Sequence, residues 1–154
     1  MGTTTKTLYD VDFVEWTART AELLREGRFD DVDLEHLIEE IADMGTSERA
    51  AVRSQLSRMM MHLTREKIQP ERAGSSWRGS TVDARRQMLD KLEFSPSLRR
   101  ELAEYLEKIY HRAVRDALDE TGLKDKAKHL RIPPSCPWTL SELLEGDLDA
   151  LVGR

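Results

Sequence analysis

Leu98, Leu102, Tyr105, Leu106, Ile109, Ala113 and Ala117 recur at helical spacing between Pro96 and Gly122. A helix completes a turn every ~3.6 residues, so these positions share one face over about seven turns. Ser95-Pro96 marks the start, because proline is tolerated at a first helical position where no N–H is needed. Gly122 marks the end. No stretch shows the sustained period-two alternation of a half-buried strand, so no sheet is expected.

Other stripes repeat the pattern. Phe13, Trp16, Thr17, Leu23 and Leu24 define a helix over Val11 to Glu26, with Asp10 as its expected N-cap and Gly27 as its stop. Asp33 caps a short second helix in which Leu34, Leu37, Ile38 and Ile41 form the inward stripe, and Gly45 is expected to end it. A third helix runs from Thr46 or Ser47 to about Gln69, with Val52, Leu56, Met59, Met60 and Leu63 facing the core and Pro70 stopping it. Ser75 or Ser76 caps a fourth through about Glu93, with Val82, Leu89 and Leu92 on its buried side. Lys124 to Trp138 reads as an irregular crossover, and Thr139 with Glu142 as the capping box of a last helix over Leu140 to Glu145. The short connections favour antiparallel neighbours, hence an all-α, up-and-down bundle of about five to six helices. The expected organisation is a tail over residues 1–9, one helical domain over 10–145 and a tail over 146–154.

Several classes are excluded or disfavoured. No apolar run approaches the length a membrane-spanning helix needs. Met1 to Thr7 has no apolar signal region, and Lys6 stands where an N-myristoylation signal wants Ser or Thr. Cys136 is the single cysteine, so no internal disulfide forms and a reducing, cytoplasmic setting is expected.

Charge is uneven. The net charge is −5, against a general nucleic-acid binder. Residues 1–45 carry 4 basic and 12 acidic side chains, residues 46–100 carry 12 and 6, and residues 101–154 carry 8 and 11. The arginine-rich middle either complements acidic neighbours within the fold or presents a polyanion-binding face, for which Arg65, Arg78, Arg85 and Arg86 are the candidates.

Candidate chemistry centres on the second helix. His36 with Glu39 and Glu40 has i,i+3 and i,i+4 spacing, and His62 joins them if the chain folds back at Gly45. His36, Glu40 and His62 would then offer three ligands to a divalent transition metal. A tight hairpin leaves the histidines about 12 Å out of register, so a crossed packing or a long first connection is required. The competing reading is an acidic solvated face with hydrogen-bonded histidines, and no cofactor. Cys136, seven residues after His129, is expected to be structural rather than a nucleophile, and the Met59-Met60-Met61 run to fill the core. No phosphate-binding glycine loop, nucleophile elbow, paired-cysteine zinc motif or His-Glu-x-x-His occurs.

Leu8-Tyr9-Asp10 with Phe13 and Trp16, Gly27-Arg28-Phe29-Asp30, Asp33 through Ile41, Met44-Gly45, His62-Leu63, Gln69-Pro70-Glu71-Arg72, Ser76-Trp77-Arg78, Ser95-Pro96-Ser97-Leu98 and Cys136 through Leu140 follow one another in this order. In that order and spacing the chain resembles the uncharacterised bacterial family known as domain of unknown function 29, over about residues 8 to 145. The resemblance implies an all-helical bacterial domain and supplies no catalytic residues. The chain departs from similar sequences at Arg65-Glu66, where a lysine and an aromatic are common. The polar residues of those motifs, His36, Glu39, Glu40, His62, Gln69, Arg72 and Trp77, form the candidate cluster; the alternative is that the last three only fix the loop after Pro70. The preferred expectation is a non-enzymatic interaction or adaptor module with a protein partner. Metal binding and arginine-mediated binding of nucleic acid or another polyanion are the alternatives.

Overall fold

The structure, a computed structural model, describes residues 6–154. Residues 1–5 lie outside it, and with them most of the expected N-terminal tail and the Gly2 context of the lipidation reading. The described residues are helical with no strand, and they form two compact units, the first ending at Thr46 and the second spanning Ser47–Arg154.

In the first unit, Thr7 and Asp10 form a capping box on α1 (Leu8–Val11). The chain then breaks at Asp12, whose extended backbone and side chain cap α2 (Phe13–Arg25) by accepting from the Glu15 N–H at 2.9 Å. One helix over Val11 to Glu26 capped by Asp10 was expected; Asp10 serves the preceding turn instead. Gly27, in the left-handed region of positive φ, closes α2. Its N–H reaches Leu24 O, and the Arg28 N–H reaches Leu23 O. These bonds satisfy carbonyls that the helix end leaves free. Trp16, Thr20, Leu23 and Val32 are the buried side chains among the described residues of this unit.

α3 (Leu34–Ile68) begins in the first unit and ends in the second, and it is the longest helix described. The expected stop and fold-back at Gly45 are absent. Among the described residues only Gly27 and Gly122 have the positive φ that a glycine stop uses, so Gly45 keeps helical geometry. An interior glycine costs about 1 kcal/mol relative to alanine, which a helix continuing through Ala50, Ala51 and Leu56 absorbs.

In the second unit α3 packs with α4 (Ser75–Phe94) and α5 (Leu98–Thr121). Ion pairs fix the directions. Glu48–Lys91, Arg58–Asp83 and Glu66–Arg78 run antiparallel between α3 and α4, whereas Arg49–Glu101 and Arg65–Glu120 show α3 and α5 parallel. This is an up-down-up bundle. Its centre holds Leu56, Met59, Met60, Leu63, Met88, Leu102 and Tyr110, all shielded from solvent.

The α5 stripe points inward as expected at Leu98, Leu102, Ile109, Ala113 and Ala117. That of α4 does so only at Leu92. Val82 and Leu89 are exposed, and Thr81, Ala84, Met88 and Leu92 are buried. Thr81 donates its hydroxyl to Trp77 O at 3.0 Å, so a polar residue occupies the core without an unmet bond. The helix also starts on Gly74 rather than on a serine cap.

The C-terminal segment covers the α4/α5 side. After a 3-10 stretch (Lys124–His129) the chain runs back along α5, where Tyr110 donates to Pro133 O at 2.7 Å. α6 (Leu140–Glu145) carries the expected Thr139/Glu142 capping box. The stretch read as a C-terminal tail carries a further helix, α7 (Leu148–Val152), capped by Asp147. Leu151 of α7 is buried, and its carbonyl accepts from Trp138 Nε1 at 2.8 Å.

Candidate functional site

In the first unit His36 is held on two sides. Its Nδ1–H donates to Asp33, the N-cap of α3, at 2.6 Å, and its ring stacks on Tyr9 with centroids 4.0 Å apart. Tyr9 donates its hydroxyl to Glu40 at 2.5 Å. The Asp33 hydrogen bond raises the His36 pKa from its ordinary 6.5, and the Glu40 bond, with burial and nearby carboxylates, pushes Tyr9 up to about 12. His36 and Glu40 are thus joined through Tyr9, while Glu39 is exposed. No group of three or more His, Cys, Asp or Glu among the described residues is placed to hold a metal.

On a helix turning about 100° per residue, Leu34, Ile38 and Ile41 fall on the face opposite His36 and Glu40. Their exposures are 54%, 64% and 60%, and the neighbouring Met44 is 68% exposed. Of the stripe expected to face the core, Leu37 is half-buried and the other three face outward, and the side packed against α1 is the polar one. Glu35 lies beside Ile38, Glu39 between the two faces and Asp43 on the side of His36, all exposed.

The remaining cluster residues belong to the second unit. His62 and Gln69 are buried; His62 Nδ1 has no hydrogen-bond partner among the described residues. Burial, then the charges of Arg65 and Arg58, lower its pKa, so the ring is neutral near pH 7. Arg65 lies over the Trp77 ring at 4.1 Å, a cation–π contact. Its Nη1 also pairs with Glu120 at 2.8 Å. Arg72 is exposed on the 3-10 turn Pro70–Arg72. The residue missed here is Glu66, buried one turn after His62 and before Gln69 and paired to Arg78 at 2.9 Å. Its spacing of four and three to those residues was a readable signal.

The four arginines read as a polyanion face are engaged within the second unit. Arg65 and Arg78 are paired as described, Arg86 pairs with Asp83 at 2.8 Å and Asp90 at 3.6 Å, and Arg85 donates to Leu143 O and Gly146 O, both at 2.8 Å. The bonds from Arg85 satisfy carbonyls at the end of α6.

A different set of cations lines a groove. Between α3 and α5 lies a groove of about 490 Å³, lined by Arg53, Arg58, Lys108 and Arg112 with Asp116 as its one carboxylate. The Arg53 guanidinium lies over Tyr105 at 4.0 Å. Counting charges by thirds hides Lys108 and Arg112, which belong to a net acidic segment; their i,i+4 spacing on the predicted fifth helix was the available signal.

Helices alone, a second unit built as an up-down-up bundle, and a first unit with an outward apolar stripe define an all-α protein. The chain belongs to the family described as Domain of unknown function DUF29, which matches residues 8–148. No curated protein and no solved structure matches it.

Proposed function

We propose that the protein is a non-enzymatic interaction module whose first unit takes a basic amphipathic helix of a partner protein. The observation that carries this reading is the outward stripe Leu34–Ile38–Ile41 on α3, with Met44 beside it. Contiguous exposed apolar residues mark interaction sites on soluble proteins, and spacings of four and three match the seam of paired helices. Charge selects the partner. Residues 1–45 are net −8, and Glu35 borders the stripe beside Ile38, so a second acidic copy of this face would repel it whereas a lysine- or arginine-flanked helix would complement it. A reducing bacterial cytoplasm is the setting proposed for it, which the lone cysteine suits.

The test is fluorescence anisotropy of the full chain with two synthetic helical peptides, one with leucines flanked by lysines and one with the same leucines flanked by glutamates. The lysine peptide binds, and the double variant Ile38→Asp/Ile41→Asp weakens it at least about tenfold. Equal binding of both peptides, or unchanged binding by the double variant, removes the proposal.

A further inference from the structure

We infer that the groove between α3 and α5 is a binding site for a small phosphorylated ligand carrying two or more negative charges. Its lining supplies four cations against the single carboxylate of Asp116. Two of them, Lys108 and Arg112, have no ion-pair partner among the described residues, and both can reach a ligand from the exposed side of α5. Arg53 approaches Glu101 only at 3.8 Å, and its buried Nε has no acceptor. Arg58 gives one amino group to Asp83 at 3.1 Å. A single carboxylate ligand would answer only one of the two unpaired cations, Lys108 and Arg112. A phosphate ester or diphosphate matches it, and guanidinium forks fit phosphate oxygens two at a time.

Size and surroundings limit the ligand. A volume of about 490 Å³ is that of a small-molecule site. Ser54 and Ser57 add hydroxyl donors along α3, and Met61 and Ile109 give the groove an apolar part against which an organic body can lie. Glu101 and Glu120 stand at the two ends, paired to Arg49 and Arg65. Those carboxylates oppose a long polyanion running through, so the geometry favours a short ligand over a nucleic-acid strand. The groove lies wholly in the second unit, so the site is independent of the helix-docking reading of the first.

The experiment is calorimetric titration of the full chain with ADP, with inorganic pyrophosphate and with adenosine, at about 50 mM salt where screening is weak. ADP or pyrophosphate binds and adenosine does not; tighter binding of ADP assigns the source as an organic phosphate, and equal binding assigns free diphosphate. Lys108→Gln and Arg112→Gln each weaken binding about tenfold or more, as expected for lost charge-assisted bonds. Lys128→Gln and Arg131→Gln, the same charge change on exposed residues outside the groove, leave it unaltered. The inference is overturned if neither phosphate binds at ~1 mM, if the groove variants bind as the parent does, or if only a long polyanion such as heparin is bound.

Discussion

Arg78 puts both Nε and Nη2 on the carboxylate of Glu66, at 3.3 and 2.9 Å, and Nη2 also meets Asp149 at 2.8 Å. One guanidinium therefore ties the last turns of α3 to the first turn of α4 and to α7. Glu66 is buried, so its charge depends on this partner. Breaking a buried pair costs ~3–5 kcal/mol, and the 35% exposure of the Arg78 side chain lowers the expectation to about 2–3 kcal/mol for Arg78→Met. The double change Glu66→Leu/Arg78→Met should recover much of that loss, since it leaves no buried charge behind. Urea midpoints measure both. A loss within ~0.5 kcal/mol, the range of ordinary surface changes, would contradict the assignment.

Two glycines of the first unit should respond in opposite directions. Gly45 lies inside α3 with helical backbone, so Gly45→Ala raises stability by about 0.5–1 kcal/mol. Gly27 holds a positive φ with open space around an added Cβ. Gly27→Ala therefore costs about 1 kcal/mol from backbone strain alone. Thermal midpoints separate the two. Destabilisation by Gly45→Ala would restore the turn at that position.

The contrast between these glycines shows where the fold was legible. Residues 98–122 carry apolar side chains and a terminal glycine that agree with each other, and α5 forms between those limits. Gly27 and Gly45 look alike in sequence; what separates them is whether the following residues offer a better structure than more helix. After Gly27 the chain makes the Phe29–Asp31 turn, whereas after Gly45 it meets a run of good helix formers. The Leu34–Ile38–Ile41 stripe was readable as a stripe. Periodicity shows that side chains share a face and says nothing of what covers it, so its outward direction was not readable. The candidate cluster suffered from the same limit: its members were joined by an assumed fold-back, and a continuous α3 removes that assumption. Arg65, Arg78, Arg85 and Arg86 were readable as arginines; the i−3 and i+4 partners of Arg86 on its own helix were readable too, but the acceptors of the other three lie on α3, α5, α6, α7 and the residue closing α6, and only the packing of those elements selects them.

His36 should make the first unit sensitive to pH. Its hydrogen bond to Asp33 raises the imidazole above 6.5, and the same bond holds the Asp33 carboxyl below its ordinary 3.8. The raised histidine contributes stability that is fully present below 6.5 and is lost as pH rises through its folded value. The lowered aspartate contributes stability present above 3.8 and lost as pH falls through its folded value. The contact is therefore strongest between these limits. Proton NMR should give a His36 midpoint above 6.5, returning toward that value in Asp33→Asn, which keeps an N-cap for α3. A midpoint at or below 6.5 in the parent would show that the pair does not form.

Cys136 is predicted to be inert. Burial, with the carboxylate of Glu107 adding to it, pushes the thiol up to about 11. The Sγ–H donates to Trp138 O at 3.3 Å, and the Cys136 N–H is held by Glu107 at 2.9 Å. A thiolate is the reactive form, and a rise of that size removes roughly 99% of it at a given pH on the mildly alkaline side. Alkylation by iodoacetamide at pH 8 should accordingly be on the order of a hundredfold slower in the folded chain than in urea. Cys136→Ser should leave the fold intact while losing a weak sulfur contact and some apolar burial, at a cost of about 1 kcal/mol. Folded-state labelling as fast as that in urea would show an exposed, activated thiol and reopen Cys136 as a nucleophile.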